Sequence, residues 1–399
     1  MTPIDVNSGG ATRSLRGWIE QNCVHLVCVA VLVLGGCGSD STQGQETSQN
    51  QPVPVALTAE LFAGHPLYDE PMARPVDGQG LRDNPPLLWG QLLFVGNKLV
   101  TDTQREMWYT DLSVSSPTIK RIVGSKDSPS EVINPGACLD ARVLIITGFA
   151  LKNDGSFVGT GATTRSGNII FEVKDPFGPN CMVTFLVGPT VGGFVNFGDA
   201  DGPGATARFQ YVEWPAIIDD NIYVIDSLNH KIKRIANDAA HTVTTIATLP
   251  QDKYDGNYEA MIALNGRLYA VANNTPESFI VEIDPATGAL RDIVRGGPEA
   301  FGDTRGKRLS GLATDGRGFF TYNRGHLLYV TFDGKVTSIA GDGTYIEFSP
   351  SYNPTHPQTA ESVQLVVSGP GKVFLAFENK AVYFSAGVRT NYVERIAVK

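Results

Sequence analysis

Histidine, cysteine and dense positive charge are all scarce in this sequence. Six histidines are scattered through 399 residues, and charged residues make up only 18% of the chain. Neither H-E-x-x-H nor a Cys/His spacing suited to zinc occurs, which removes the common motif-borne metal centres. There is no G-x-S-x-G nucleophile elbow and no Gly-Lys-Ser/Thr phosphate loop. The densest basic run, His230 to Arg234 (HKIKR), alternates polar and apolar residues as a half-buried strand does. With a net charge of −9, the chain lacks the basic surface that phosphate neutralisation requires, so nucleic acid is excluded as a partner. No convincing amphipathic helix is present. What is plentiful is glycine, 43 residues, and proline, 24, a composition that suits a turn-rich, all-β protein.

The N-terminus carries an export pattern. Arg13 and Arg16 precede the apolar run CVHLVCVAVLVL, Cys23 to Leu34, which is shorter than the roughly 20 residues a membrane-spanning helix needs. Leu34-Gly35-Gly36-Cys37 follows and resembles a bacterial lipobox. That resemblance implies a lipoprotein signal peptide over residues 1–36, lipidation of Cys37 and a cell-envelope location with the membrane as anchoring partner. Residues 37–80 begin GSDSTQGQETSQNQPVPV after the cysteine, and they are expected to form a flexible, disordered linker. Removing residues 1–36 takes away Arg13, Arg16, Asp5 and Glu20, so the mature charge stays at −9. Of the five cysteines, only Cys138 and Cys181 then remain as thiols, and an oxidising compartment favours a disulfide between them.

From residue 81 onward one pattern recurs: an apolar run, a turn of Asp, Asn or Gly, and a second apolar run. The turns lie in VGNKLV (95–100), LKNDGSFVG (151–159), IIDDNIYVID (217–226), ALNGRLYAV (263–271), ATDGRGFFTY (313–322) and VSGPGKVFLAF (367–377). Asn-Gly and Asp-Gly between apolar runs are hairpin signals, because both residue types accept positive φ. Six such units, roughly 45–65 residues apart, predict a six-bladed β-propeller over residues 81–399. A lone four-stranded sheet cannot bury both faces, whereas radial stacking buries both.

The third unit contains DGPGATARF, Asp201 to Phe209, which fits G-x-G-x-x-[GA] and also looks like the start of a calcium loop. A dinucleotide fingerprint needs a following helix, yet RFQYVEWPAII leads through Pro215 into a strand. An EF-hand register would place Phe197 and Arg208 at the first and last ligand positions, which also fails. A looser surface cation site at Asp199 and Asp201 stays open. The stretch reads best as a connector between blades, with Gly202 and Gly204 allowing the turn and Ala207 and Phe209 filling the gap.

This unit resembles an NHL repeat. Asp201, Gly202, Gly204, Ala207, Phe209, Asn221, Tyr223, Val224, Asp226, Asn229, Ile232, Arg234 and Ile235 occupy the matching places. Lys231 stands where that family usually has arginine. The fifth unit matches in part, through SGLATDGRGFF and Gly334 to Gly343. The resemblance implies an NHL-like propeller acting as a binding or interaction platform for a protein, glycan or small ligand. Six-bladed enzymes similar to gluconolactonases and strictosidine synthase-like proteins give the alternative, a metal-dependent hydrolase or lyase using carboxylates at the central channel.

One constellation could serve either reading. Glu213 lies ten residues before Tyr223 and Glu259 ten before Tyr269, so both hold the same register at the start of an innermost strand. Hairpin alignment puts Leu309 and Ser362 at the equivalent places of the fifth and sixth units, with Ser310 and Gln364 close by. Glu213, Glu259, Ser310 and Gln364 are candidate channel ligands for a divalent cation such as calcium, or an acid–base pair with polar neighbours. Trp214 and Tyr258 adjoin the glutamates and are candidate ligand-contacting aromatics.

Overall fold

Short runs bounded by tight turns, with burial concentrated on one or both faces, are what a stack of small sheets requires. The computed structural model describes residues 52–64, 76–78, 80, 90–103, 105–124, 133–163, 167–188, 197–254, 257–274, 277–296, 308–344, 358–365, 372–386 and 392–399. The signal segment and Cys37 lie outside them. All the described residues belong to one unit, Ser48–Lys399.

An N-terminal strand, β1 (Ala56–Gly64), precedes the first blade, which is β2 (Leu92–Val95), β3 (Lys98–Thr103), β4 (Glu106–Asp111) and β5 (Ile119–Val123). The second blade is β6 (Gly136–Ala137), β7 (Ile146–Leu151), β8 (Phe157–Thr163), β9 (Gly167–Lys174) and β10 (Met182–Val187). The third is β11 (Val212–Ile218), β12 (Asn221–Asp226), β13 (Lys231–Ile235) and β14 (Val243–Thr248). The fourth is β15 (Asn257–Leu264), β16 (Arg267–Asn274), β17 (Glu277–Ile283) and β18 (Leu290–Gly296). The fifth is β19 (Ser310–Thr314), β20 (Gly318–Asn323), β21 (His326–Thr331) and β22 (Val336–Ala340). Then come β23 (Gln358–Thr359), β24 (Val373–Glu378), β25 (Ala381–Ala386) and β26 (Tyr392–Val398). The sheets are antiparallel, and no α-helix occurs among the described residues.

The fold is a six-bladed β-propeller. Innermost strands neighbour one another in chain order: β11 lies beside β7 and β15, β19 beside β15 and β24, and β24 beside β2. The ring closes through the sixth sheet, ordered β23-β1-β26-β25-β24, in which β1 pairs with β26 from Ala56↔Val398 to Gly64↔Tyr392. Strands from both chain ends thus complete one blade, and Ala59 and Ala63 of β1 are fully buried. Residues 56–64, read from sequence as linker, are therefore part of the propeller. Their partner is the far end of the chain, so no local hairpin marks them.

The sixth hairpin also departs from expectation. Residues 367–371 lie outside the described residues, and the hairpin expected within VSGPGKVFLAF joins β24 to β25 instead, with its turn at Asn379 and Lys380. Both take positive φ, 50° and 56°, as the tight turn demands, without the glycine that usually signals it.

Side chains between adjacent sheets form the core. Phe209 and Ala207 of the DGPGATARF connector pack with Val158 and Ile170 of the second blade and Val224 of the third, filling the gap between blades. A Cβ on Gly204 would lie 2.6 Å from the Leu186 carbonyl oxygen, so that close approach needs glycine. The same connector carries Asp199 and Asp201, and lysines take the place of a cation there. Lys233, fully buried, lies 2.9 Å from Asp199, 3.3 Å from Asp201 and 3.7 Å from Asp226, with its ammonium 5.1 Å from the Phe209 ring centroid. Lys231 also bonds Asp199. Against the cost of burial, these lysines hold the Asp199 carboxyl below the usual range. Cys138 and Cys181 form a disulfide beside the β6–β10 pairing.

Candidate functional site

The innermost strands are not regular where they begin. The β11–β12 register jumps between Glu213↔Ile225 and Ala216↔Tyr223, the β15–β16 register between Tyr258↔Ala272 and Ala260↔Val271, and the β19–β20 register between Ser310↔Tyr322 and Ala313↔Phe320. β7 shifts likewise between Ile146 and Gly148. Such bulges re-aim side chains at barrel rims and next to sites. Trp214 sits in the left-handed region at φ 54°, an uncommon state for a bulky residue. Gly311 holds φ 69°, where a Cβ would come within 2.8 Å of the Val373 carbonyl oxygen.

At this level each blade supplies one polar residue at the start of its innermost strand: Gln91, Thr147, Glu213, Glu259, Ser310 and Lys372. The first two are absorbed in joining blades. The Gln91 side-chain oxygen accepts the Phe149 backbone N–H at 2.8 Å, and the Thr147 hydroxyl donates to the Val212 carbonyl at 2.7 Å. The other four form a cluster. Lys372 Nζ donates to Glu213 Oε2 at 2.7 Å and approaches the Tyr258 carbonyl oxygen at 3.4 Å. Ser310 Oγ donates to Glu259 Oε2 at 3.3 Å and accepts the Val373 backbone N–H at 2.9 Å.

Lys372 belongs to the sixth blade and Glu213 to the third, which stand opposite each other in a ring of six. Their ion pair therefore crosses the propeller axis. Beneath it, the Lys372 ammonium lies 4.8 Å from the Trp214 ring centroid, and Trp214 meets Phe374 of β24 at 5.9 Å, also across the axis. The Trp214 indole N–H donates to the Tyr258 carbonyl at 3.3 Å.

Electrostatics follow from this geometry. Burial raises the Glu259 carboxyl; Lys372 pulls it down and Glu213 pushes it up, and the net is upward. Burial works against the Lys372 ammonium, but Glu213 and Glu259 outweigh it and keep its pKa above the ordinary lysine value. Burial, with the Glu213 charge, raises the nearby Tyr211 phenol.

Glu213, Glu259 and Ser310 are thus brought together. Gln364 is not: it lies on the segment between β23 and β24, where its amide donates to Asp342 at 3.2 Å. The misplaced sixth hairpin is the reason, and Lys372 holds the position that hairpin alignment gives to Ser362, near Gln364. Trp214 and Tyr258 are 4% and 2% exposed, so they form the floor under Lys372 rather than open ring faces. A divalent cation does not fit the donor set. Only two carboxylates converge and one is engaged by an ammonium, while no group of three His, Cys, Asp or Glu side chains suited to a metal occurs among the described residues. Lys372, Tyr211 and His230, whose ring faces Tyr258 at 6.5 Å, escaped sequence reasoning. A correct sixth hairpin would have exposed the lysine.

No family model and no curated protein matches this sequence. Solved structures do share its fold. A structural genomics protein of unknown function from Bacteroides thetaiotaomicron VPI-5482 aligns with TM-score 0.57 and 12% identity over 86% of this chain and 76% of its own. An auxiliary nutrient binding protein from Bacteroides ovatus ATCC 8483 aligns with TM-score 0.57 and 14% identity over 86% and 77%. Identities this low speak to the six-bladed fold alone.

Proposed function

We propose that this chain is a lipid-anchored, extracytoplasmic, NHL-like propeller that binds a neutral polar ligand, a glycan or a fragment of one, at the channel mouth without chemical conversion. The observation that carries this reading is the Lys372–Glu213 pair across the axis, with Glu259 and Ser310 beside it. The chain supplies its own cation there, so the mouth offers hydrogen-bond donors and acceptors in near charge balance rather than a metal. Hydroxyl groups can bond both Glu259 and the Lys372 ammonium without bringing new charge. The disulfide and the lipobox-like Leu34–Cys37 support the compartment. A neighbour in fold described as a nutrient binding protein supports a binding role.

The alternative, a metal-dependent hydrolase or lyase, needs Glu213 and Glu259 free to coordinate. The test is a thermal-shift and calorimetric screen of mono- and oligosaccharides against wild type and Glu259→Gln, with lactone hydrolysis followed with and without chelator. Saccharide binding that is weakened in Glu259→Gln and indifferent to chelator is the expected result. Chelator-sensitive turnover would replace this reading with the enzymatic one.

A further inference from the structure

A concavity lies at the opposite end of the blades from the Lys372–Glu213 pair. The innermost strands run away from the mouth, so the β7–β8, β11–β12 and β13–β14 turns gather at the far end. There a cleft of about 630 Å³ opens between the second and third blades. That volume is in the range of small-molecule sites. It is independent of the mouth and shares no residue with it.

Its charges are sorted along its length. Near the axis, at the first turns of the two blades, stand Asp154 and Asp220. Asn153 Nδ2 donates to Asp220 Oδ1 at 3.3 Å and stitches the two blades together at that end. Lys152 is present there too, but it is consumed by Glu172 at 2.7 Å, with Asp154 at 3.8 Å and the Asp220 charge also acting on it. Toward the outer strands the sign changes. Lys174 of β9 has a 64% exposed side chain; among the described residues it pairs with Glu172, already bonded to Lys152, at 3.4 Å, and its charge also reaches Asp154. His241, on the β13–β14 turn, faces the same outer part from the third blade. Leu186 and Ile222 supply an apolar stretch of wall.

We infer that this cleft binds a zwitterionic ligand of the amino-acid or short-peptide class, its ammonium toward Asp154 and Asp220 and its carboxylate toward Lys174 and His241. A cleft acidic at one end and basic at the other discriminates by requiring both charges on one molecule, and either half alone leaves one end unmatched. A saccharide satisfies neither end by charge, and a simple anion or cation satisfies one.

The probes are Ala-Ala and Ala-Ala-Ala, with their N-acetyl and C-terminal amide forms, titrated calorimetrically into the whole protein. The free peptides should bind, and blocking either terminus should weaken binding by about tenfold or more, the scale of one lost charge contact. Asp220→Asn keeps a residue that tolerates the positive φ of that turn (60°) and should weaken the free peptides but not their N-acetyl forms. Lys174→Gln, on an exposed strand position, should weaken the free peptides but not their amides. Glu259→Gln at the channel mouth should leave peptide binding unchanged, which separates this inference from the saccharide reading. Absence of binding by either free peptide, equal binding of free and blocked forms, or full affinity in both cleft variants would overturn it.

Discussion

Removing the ammonium that spans the axis is the most informative perturbation. In Lys372→Met the side-chain length is kept and the charge is lost. Glu213, whose side chain is only 5% exposed, then loses a partner at 2.7 Å, and Glu259 loses the positive charge that acts on it most strongly. Breaking a fully buried pair from one side costs about 3–5 kcal/mol, but the Lys372 side chain is 37% exposed, so water compensates in part and about 2–3 kcal/mol is the reasonable scale. For a folded unit of roughly 350 residues the unfolding entropy is about 0.7 kcal/mol per kelvin, which converts this loss to a fall in Tm of about 3–4 °C. The pH dependence gives the sharper check. The folded pKa of Lys372 is raised, so its contribution is fully present below pH 10.5 and is lost only above it. The folded pKa of Glu259 is raised above its unfolded value, so its ionisation erodes stability as pH climbs from 4.5 through the folded value. Without Lys372 that carboxyl rises further. The deficit of Lys372→Met, followed by circular dichroism melts, should therefore be larger at pH 8 than at pH 5, with Lys372→Arg close to wild type. A variant as stable as wild type at pH 8, or a deficit that shrinks from pH 5 to pH 8, would refute the reasoning.

Three further outcomes are expected. Glu394 of β26 is 2% exposed, and burial with the Glu60 charge pushes its carboxyl up to about 8, so wild-type stability should fall as pH rises from 4.5 to about 8; Glu394→Gln should flatten that decline in melts across the range, by up to about 4 kcal/mol from ~1.4 kcal/mol per pKa unit. Lys233→Met removes the ammonium that Asp199, Asp201 and Asp226 share, leaving Lys231 on Asp199 alone, and should cost about 3–5 kcal/mol by urea denaturation, since that lysine is fully buried. Replacing Cys138 and Cys181 with serine opens a loop of 43 residues and should lower stability by roughly 4 kcal/mol on the chain-entropy account, a loss that reductant reproduces in wild type.

The propeller was legible because its hairpins are local. Gly96-Asn97, Asp219-Asp220 and Asn265-Gly266 announce tight turns between apolar runs, and each joins the first two strands of a blade. The parts that escaped depend on distant pairing or on unusual turn chemistry. β1 reads as a weak alternation after a polar tract, and its strand partners, β23 and β26, lie about 300 or more residues later. Asn379-Lys380 forms a turn without glycine, so sequence alignment puts the sixth blade out of register, with Ser362 and nearby Gln364 where Lys372 stands. The site inherited that error. Equal spacing from Tyr223 and Tyr269 was enough to set Glu213 and Glu259 at matching bulges, whereas no sequence interval reports a lysine reaching across the axis from the opposite blade. Gly202 and Gly204 of DGPGATARF were legible as turn and close-approach positions; the lysine cage around Asp199 was not, because Lys233 lies on another strand.

The account turns on what neutralises the carboxylates at the channel mouth, and a crystal structure of protein purified without chelator, with anomalous data collected for metals, tests that directly. It should show Lys372 Nζ bonded to Glu213 across the axis and no metal ion there. A cation on the axis coordinated by Glu213 and Glu259, with Lys372 turned away, would contradict it.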